Sequence, residues 1–493
     1  MAREWSKQQE AVFEWFRNPE RKRAVVRARA GTGKTTTIIE GLSHAPERRM
    51  LLCAFNKRIA DELSRKISTD RAEAKTLHGV GFAYVRRNWE NVRVDGSRGK
   101  RLALEACGGQ AAPDAMVALV AKLAGLVKEM SPHACRPAEV LDIAEDMDCL
   151  PDEDWEDDGW TAERVAKCAL RAMDLAAKRD GSVDFSDMLW LPLRHSWVRG
   201  QWDLVVVDEC QDMNAAQIEL ALKSVRKGGR VLVVGDDRQA IYGFRGADSG
   251  SLDRLKATME AEELPLTVTY RCPKAVVAEA QRLVSDYVAA PTAPEGCVET
   301  LPLAQLAKAV TPGDFVLSRK NAPLVRTCLS ILRAGTRAKV EGRDVGKGLV
   351  ALVKKLKAKS MPNFLEKLGA WEDRELARAA KLKPERAEVK RAEVEDQAET
   401  LRALSEGLSG IPELEARIEN LFADVEGAPA LVVCSTVHRS KGLEAPNVFI
   451  LRSTLVRKDK EGKPLPQSKE EANIEYVAIT RAQKRMVWVE GDV

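Results

Sequence analysis

Eight consecutive residues, Ala28-Arg-Ala-Gly-Thr-Gly-Lys34-Thr35, set two glycines, a lysine and a hydroxyl directly behind the apolar run Arg23-Ala-Val-Val-Arg27. Glycines at 31 and 33 let backbone N–H groups close around a phosphate at the start of a helix. The stretch Thr36-Thr37-Ile38-Ile39 continues as that helix, so the loop has the strand before it and the helix after it that such chemistry requires. Ala30, Gly31, Thr32, Gly33 and Thr36 would form the cradle. Lys34 would neutralise the outer phosphates, and the Thr35 hydroxyl would ligate magnesium. Ala28 stands where the general pattern has its first glycine. A chance glycine-rich turn would not explain both flanks.

A phosphate loop of this kind also needs a carboxylate to hold the metal and a group to activate water. The apolar run Leu204-Val-Val-Val207 ends in Asp208-Glu209-Cys-Gln-Asp212. Asp208 can bind magnesium through its water shell, and Glu209 can take a proton from the attacking water as a general base. Adjacent acids at a strand end also serve as ordinary caps; their pairing with Lys34 favours the chemical reading.

Asp-Glu-x-Gln-Asp resembles the second motif of superfamily 1 helicases of the UvrD/Rep type, and other motifs follow in that family's order. The run Val233 to Ala247 is similar to the third motif and Thr269-Tyr-Arg-Cys-Pro273 to the fourth. Ser435 to Glu444 is similar to the fifth, and Tyr476 to Ala482 to the sixth. The resemblance extends over residues 5 to 490 and makes the chain a compact, phage-like member. It implies ATP and Mg2+ as cofactors, and ATP hydrolysis coupled to 3′-to-5′ translocation on single-stranded DNA and unwinding of duplex. Gln8 would then read the adenine edge, while Ser6 and Gln9 also fit a helix capping box that needs no nucleotide. Gln239 would sense the γ-phosphate, and Tyr270 would stack on adenine. Arg271 and Arg481 would reach the γ-phosphate from a second domain, so that a cleft closes on ATP and reopens on hydrolysis. Glu444 would contact the ribose or the nucleotide-sensing network.

A motor on single strands needs stacking platforms and phosphate contacts rather than base-edge readout. Tyr242-Gly-Phe244-Arg245 supplies two aromatics and a cation just beyond Gln239; the family commonly carries tryptophan where Phe244 stands. Phe55, Asn56, Thr76 and His78 resemble two further DNA-contacting motifs, and His438 and Ser440 are their counterparts in the second half. Such contacts fix register without sequence preference. The implied partners are single-stranded DNA and junctions with duplex.

The elements that must hold these residues can be read from the rest of the chain. At 493 residues it exceeds one hydrophobic core. Short apolar runs such as Met50-Leu-Leu-Cys-Ala54, Val231-Leu-Val-Val234, Phe315-Val-Leu317, Leu431-Val-Val-Cys434 and Val448-Phe-Ile-Leu451 read as strands buried on both faces of a parallel sheet. The expected fold is α/β, with two RecA-like parallel-sheet domains of the P-loop NTPase kind, each carrying a helical insertion. The boundaries read as 1–87 with 181–262, insertion 88–180, then 263–344 with 429–493, and insertion 345–428. The mixed-charge segment from Glu372 to Glu399 has few apolar positions and reads as an exposed helix or hairpin.

Charge and cysteine usage bound the remainder. Net charge is only +4, so positive potential must be concentrated in a groove. Ten cysteines contain no C-x-x-C pair, which argues against a zinc cluster or a disulfide framework. The N-terminal residues lack the apolar stretch of a secretion signal, and a monomer in the cytoplasm, on the nucleoid or in a host cell, is the expected setting. Three rival functions share these residues in part: a translocase that strips proteins without unwinding, an ATP-gated regulator that does not hydrolyse, and a motor on RNA. Intact Lys34, Thr35, Asp208, Glu209 and Arg481 argue against the second.

Overall fold

The computed structural model describes residues 4–151, 155, 158–241, 251–380, 382, 384–423, 431–456 and 467–491. By its contacts the chain divides into two compact units. The first comprises residues 1–28 and 33–266; the second comprises Arg29–Thr32 and 267–493.

Six strands of the first unit are β1 (Arg23–Ala28), β2 (Met50–Ala54), β3 (Ala72–Thr76), β6 (Trp202–Val207), β7 (Val225–Gly235) and β8 (Glu262–Leu266), with a short β4–β5 ladder (Arg93–Val94, Ser182–Val183) beside them. They form one sheet in the order β3-β2-β6-β7-β1-β8, and every pairing is parallel. The alternation of side chains along a strand explains why these runs are apolar throughout. Val25, Leu51, Cys53, Val205, Val207 and Val233 enter one core, and Ala24, Val26, Leu52, Leu204, Val206 and Val234 enter another on the opposite face. Because all strands run the same way, their carboxyl ends share one edge. The residues that follow β1, β2, β3, β6 and β7 are therefore delivered to a common rim, the position where open parallel sheets bind ligands.

Between β4 and β5 lie helices Arg98–Ala106, Asp114–Met130, Pro137–Asp146 and Ala162–Ala176, which share a core of their own around Val120, Leu123, Val165 and Ala169. Its most buried polar feature is an ion cluster: Arg98 pairs with Asp187, and Lys128 reaches the same carboxylate at 2.7 Å.

The second unit carries β9 (Val268–Thr269) and β10 (Val288–Ala289) as a two-stranded ladder. Its main sheet holds β11 (Cys297–Pro302), β12 (Phe315–Ser318), β13 (Ala338–Glu341), β14 (Phe422–Ala423), β15 (Val432–Thr436), β16 (Ala445–Leu451) and β17 (Ala482–Glu490). The order is β11-β17-β16-β12-β15-β13-β14, again with parallel pairings. The chain is thus α/β with two RecA-like parallel sheets, as the apolar runs require.

The helices Arg343–Leu356, Met361–Ala379, Pro384–Ser405 and Ile411–Leu421 fill the stretch between β13 and β14. The expectation of an exposed helix or hairpin over 372–399 is met by the hairpin of Met361–Ala379 and Pro384–Ser405, but full exposure needs correction at Val394 and Ala398, which continue into a buried stripe with Leu401 just beyond. Val394, Ala398 and Leu401 are buried against Phe364, Leu368 and Trp371, and this packing is continuous with the core under the sheet. Three apolar side chains at helical spacing suffice for one buried stripe, although the segment's mean composition is strongly charged. Among the described residues no helix is long and apolar enough to cross a membrane.

Candidate functional site

The loop after β1 turns through two left-handed glycines, Gly31 (φ +68°) and Gly33 (φ +76°), and the helix Lys34–His44 starts immediately after. Residues with a Cβ rarely adopt that backbone, which is the physical reason for both glycines. Lys34 is aimed at the end of β6: its Nζ lies 3.3 Å from Glu209 Oε1. Burial alone would lower the Lys34 pKa, but Glu209, Asp236 and Asp208 outweigh it and hold the ammonium protonated. Asp208 is buried, and its pKa is pushed up to about 7 by that burial and by the neighbouring Glu209 charge, against the pull of Lys34. The Thr35 hydroxyl is 3.4 Å from Asp208 Oδ2. A buried carboxylate that is costly to ionise, beside a hydroxyl, is a hard-oxygen pair suited to a small divalent cation that takes its remaining ligands from phosphate and water.

Glu209 itself occupies the left-handed region (φ 51°, ψ 41°), which is unfavourable for a residue with a Cβ and concentrates at working sites. That turn directs its carboxylate to Lys34 on one side and to the Gln211 amide, 2.6 Å away, on the other. Gln239 is buried in the short turn after β7 and donates to Asp236 at 2.7 Å. Arg27 holds the same turn at the end of β1 through Asp237, at 2.9 Å. Gln211, Asp236 and Arg27 escaped the sequence reading. Gln211 carried a signal there, since it is the amide within the acidic run Asp208 to Asp212 itself.

At the amino end of the unit the capping box forms as read: Ser6 Oγ accepts from Gln9 N, and Ser6 N donates to Gln9 Oε1. Gln9 is buried and donates to Thr37, whereas Gln8 is half-buried beside it. Thr36 is half-buried on the helix after Lys34.

Along the same carboxyl rim, Phe55 is half-buried after β2, and Asn56 caps the helix Lys57–Lys66 by accepting from Ile59 N at 2.9 Å. Thr76, at the end of β3, caps the helix Leu77–Asn88 by accepting from Gly79 N at 3.0 Å. His78 is half-buried, and burial lowers its pKa, so its ring is neutral. Against it, edge-on at 6.2 Å between centroids, lies Phe185, the first residue of the helix Phe185–Arg194 and 62% exposed. A phenyl ring held in solvent beside these caps is a further candidate for base stacking. Its local sequence, Asp184-Phe-Ser-Asp187, signals the capping box around it but not its exposure. Tyr242, Phe244 and Arg245 lie outside the described residues.

In the second unit, Arg271 Nε is 2.5 Å from Glu444 Oε2, and Gln483 donates to the same glutamate at 2.7 Å. Glu444 and Arg481 immediately precede the paired strands β16 and β17, which brings them to the same edge. Arg481 is fully buried and donates to the carbonyls of Val477 and Leu443 at 2.9 and 3.1 Å. Burial and then the Arg271 charge lower its pKa to about 10. Two guanidinium groups that destabilise each other in this way favour an anion between them. Tyr270 is exposed; its N–H donates to the Gly31 carbonyl at 2.8 Å. Within the same unit the Tyr476 hydroxyl meets Ala30 N at 3.0 Å, and Thr32 is buried, its hydroxyl donating to the Arg29 carbonyl. His438 is half-buried in the turn after β15. Ser440 is fully buried and donates to the Val437 carbonyl at 2.8 Å, so it shapes that turn instead of presenting a hydroxyl at the surface.

Comparison with known families gives two domain matches. The model of the UvrD/REP helicase N-terminal domain matches residues 5–260, and that of the UvrD-like helicase C-terminal domain matches residues 340–489. The chain belongs to the UvrD/Rep helicase family. Among curated members of the family it is 26% identical to ATP-dependent DNA helicase Rep of Escherichia coli (strain K12) over 312 residues, covering 57% of this chain and 43% of Rep. It is 23% identical to F-box DNA helicase protein 1 of Schizosaccharomyces pombe over 520 residues, covering 94% of this chain and 55% of that protein. DNA helicase II of E. coli is 31% identical over 137 residues, 26% of this chain and 19% of the relative. The UvrD/Rep member described here thus spans about half the length, or less, of the curated relatives it matches.

Proposed function

We propose that this chain is an ATP-driven motor that translocates on single-stranded DNA, with 3′-to-5′ polarity, and unwinds duplex. The observation that carries the reading is the cluster at the carboxyl rim of the first sheet: Lys34 against Glu209 at 3.3 Å, with Thr35 against Asp208 at 3.4 Å. Family membership supports it, and polarity rests on the resemblance of the third-motif residues to the UvrD/Rep pattern. Residues 1–87 with 181–262 and 263–344 with 429–493 are assigned as the two motor domains, and 88–180 and 345–428 as their insertions.

In this reading the Ala30–Gly33 backbone and Lys34 hold the phosphates, with Thr36 beside them. Thr35 and Asp208 hold Mg2+, which supplies charge neutralisation of the phosphate oxygens when bound. Glu209 takes the proton of the attacking water. Arg271 and Arg481 stabilise the charge spread over the transferring phosphoryl group, and Gln8, Tyr270 and Glu444 recognise the nucleoside. The DNA strand follows Phe55, Asn56, Thr76, His78 and Phe185, with Tyr242, Phe244, Arg245 and His438 continuing the track.

The test is steady-state ATP hydrolysis with and without single-stranded DNA, for wild type and Glu209→Gln. Strong stimulation by DNA is expected in wild type, and a loss of roughly 10²- to 10⁴-fold in kcat in the variant. Equal rates with and without DNA would overturn the reading; matched RNA strands identify the track, and a forked duplex separates unwinding from stripping.

A further inference from the structure

Gln211 is fully buried in the short turn Cys210–Asp212, two residues beyond the proposed general base. Both ends of its amide are used. Nε2 donates to Glu209 Oε2 at 2.6 Å, and Oε1 accepts from the backbone N–H of Asp236 at 3.1 Å. Asp236, also fully buried at the end of β7, accepts from Gln239 Nε2 at 2.7 Å and from Arg238 N at 3.1 Å. Hydrogen bonds therefore link Glu209 to Gln211 and Gln211 to the backbone of Asp236, whose own carboxylate holds Gln239. Three residues after Gln239 the chain reaches Tyr242 of the proposed DNA track.

The residue type is dictated by the partners. A carboxylate needs a donor and a backbone N–H needs an acceptor, and only a carboxamide presents both in one plane. Glutamate would set an acceptor against an acceptor, and methionine of similar length would leave the Asp236 N–H without its acceptor. Asparagine is a methylene too short. Gly235 makes room for the amide: a Cβ there would stand 2.6 Å from Gln211 Oε1 and 2.9 Å from Cys210 Sγ. Glu209, for its part, is held on left-handed backbone against its preference, so its carboxylate depends on its partners for orientation.

We propose that Gln211 is the positioning residue that makes the orientation of Glu209 depend on the Asp236–Gln239 turn, so that DNA engaged beyond Gln239 aligns the base for hydrolysis. This rests on the motor reading above. Gln211 touches no phosphate and reads no base; it transmits the state of one segment to another through two hydrogen bonds. A coupling of this kind is worth about 5- to 150-fold.

Gln211→Met keeps the volume and removes both hydrogen bonds. ATP hydrolysis is measured with increasing single-stranded DNA for wild type, Glu209→Gln, Gln211→Met and Gly235→Ala. In Gln211→Met the ratio of DNA-stimulated to unstimulated kcat is expected to fall about 5- to 150-fold. KM for ATP and Kd for a labelled oligonucleotide should change by no more than about threefold. Gly235→Ala, which displaces the amide from the other side, should lower the same ratio. A purely structural role would lower both rates together and leave their ratio within about twofold of wild type, and that result overturns the proposal. If Gln211→Met fails to fold by circular dichroism, Gln211→Glu and Gly235→Ala decide by the same ratio. Absence of DNA-stimulated, Glu209-dependent hydrolysis in wild type would instead overturn the motor reading itself.

Discussion

Phe185 illustrates what a single side chain contributes at this rim. A phenyl ring 62% exposed has little packing to lose, so it is maintained at a cost in solvent exposure that a stacked base would offset. Phe185→Ala should weaken single-strand affinity by about 1–3 kcal/mol, measured by anisotropy of a labelled oligonucleotide. Its melting temperature should match wild type; an unchanged affinity would remove Phe185 from the track. The proposed nucleotide residues stand out in sequence because they are contiguous, as in Gly31 to Thr35, or adjacent to one another, as are Asp208 and Glu209. Phe185 was not, because exposure is a property of what packs around a residue. Ser440 makes the converse point. Its residue type suits a phosphate contact, yet burial commits its hydroxyl to the Val437 carbonyl.

At the scale of elements, two of the DNA-facing candidates of the first unit, Asn56 and Thr76, are also helix caps. Thr76 ends β3 and Asn56 follows β2 by two residues, and each caps the helix behind it, which aims backbone N–H groups and the positive helix end toward the same rim. The two roles of Asn56 can be separated. Asp caps a helix as well as Asn does, so Asn56→Asp should leave stability within about 0.5 kcal/mol of wild type in urea unfolding. Its new negative charge should weaken single-strand binding by about 1 kcal/mol or more. Unaltered binding would mean that Asn56 is a cap and nothing else. The helix Pro384–Ser405 shows where element-level reading failed. Its average composition is that of an exposed segment, but Val394, Ala398 and Leu401 align on one side and find Phe364, Leu368 and Trp371. Composition averages over a helix, whereas packing selects one face.

For the whole molecule, Lys and Arg number 78 against 74 Asp and Glu, and many are committed to internal pairs such as Arg27 with Asp237 and Arg98 with Asp187. The contacts proposed on the described part of the first unit's DNA track, Phe55, Asn56, Thr76, His78 and Phe185, are uncharged, His78 because burial lowers its pKa. Single-strand affinity should therefore depend weakly on salt, with a slope of log Kobs against log salt of about −1 to −3, since each phosphate neutralised contributes about −0.7. A titration series giving a slope steeper than about −5 would mean that a basic surface, rather than this rim, dominates binding.

The chain by itself determined the α/β class, and it spelled out the proposed phosphate loop and the acids set against it. Each of these is encoded by residues close together along the chain: apolar runs of strand length, glycines at turns, a lysine and hydroxyl in fixed spacing. Tertiary structure alone decided which of the candidates share a rim and which are spent elsewhere. It joined Gln211 to Asp236 across 25 residues, set Phe185 against His78, and buried Ser440. The physical reason is that a parallel sheet gathers the ends of strands distant in sequence onto one edge, and no local pattern records which side chains meet there.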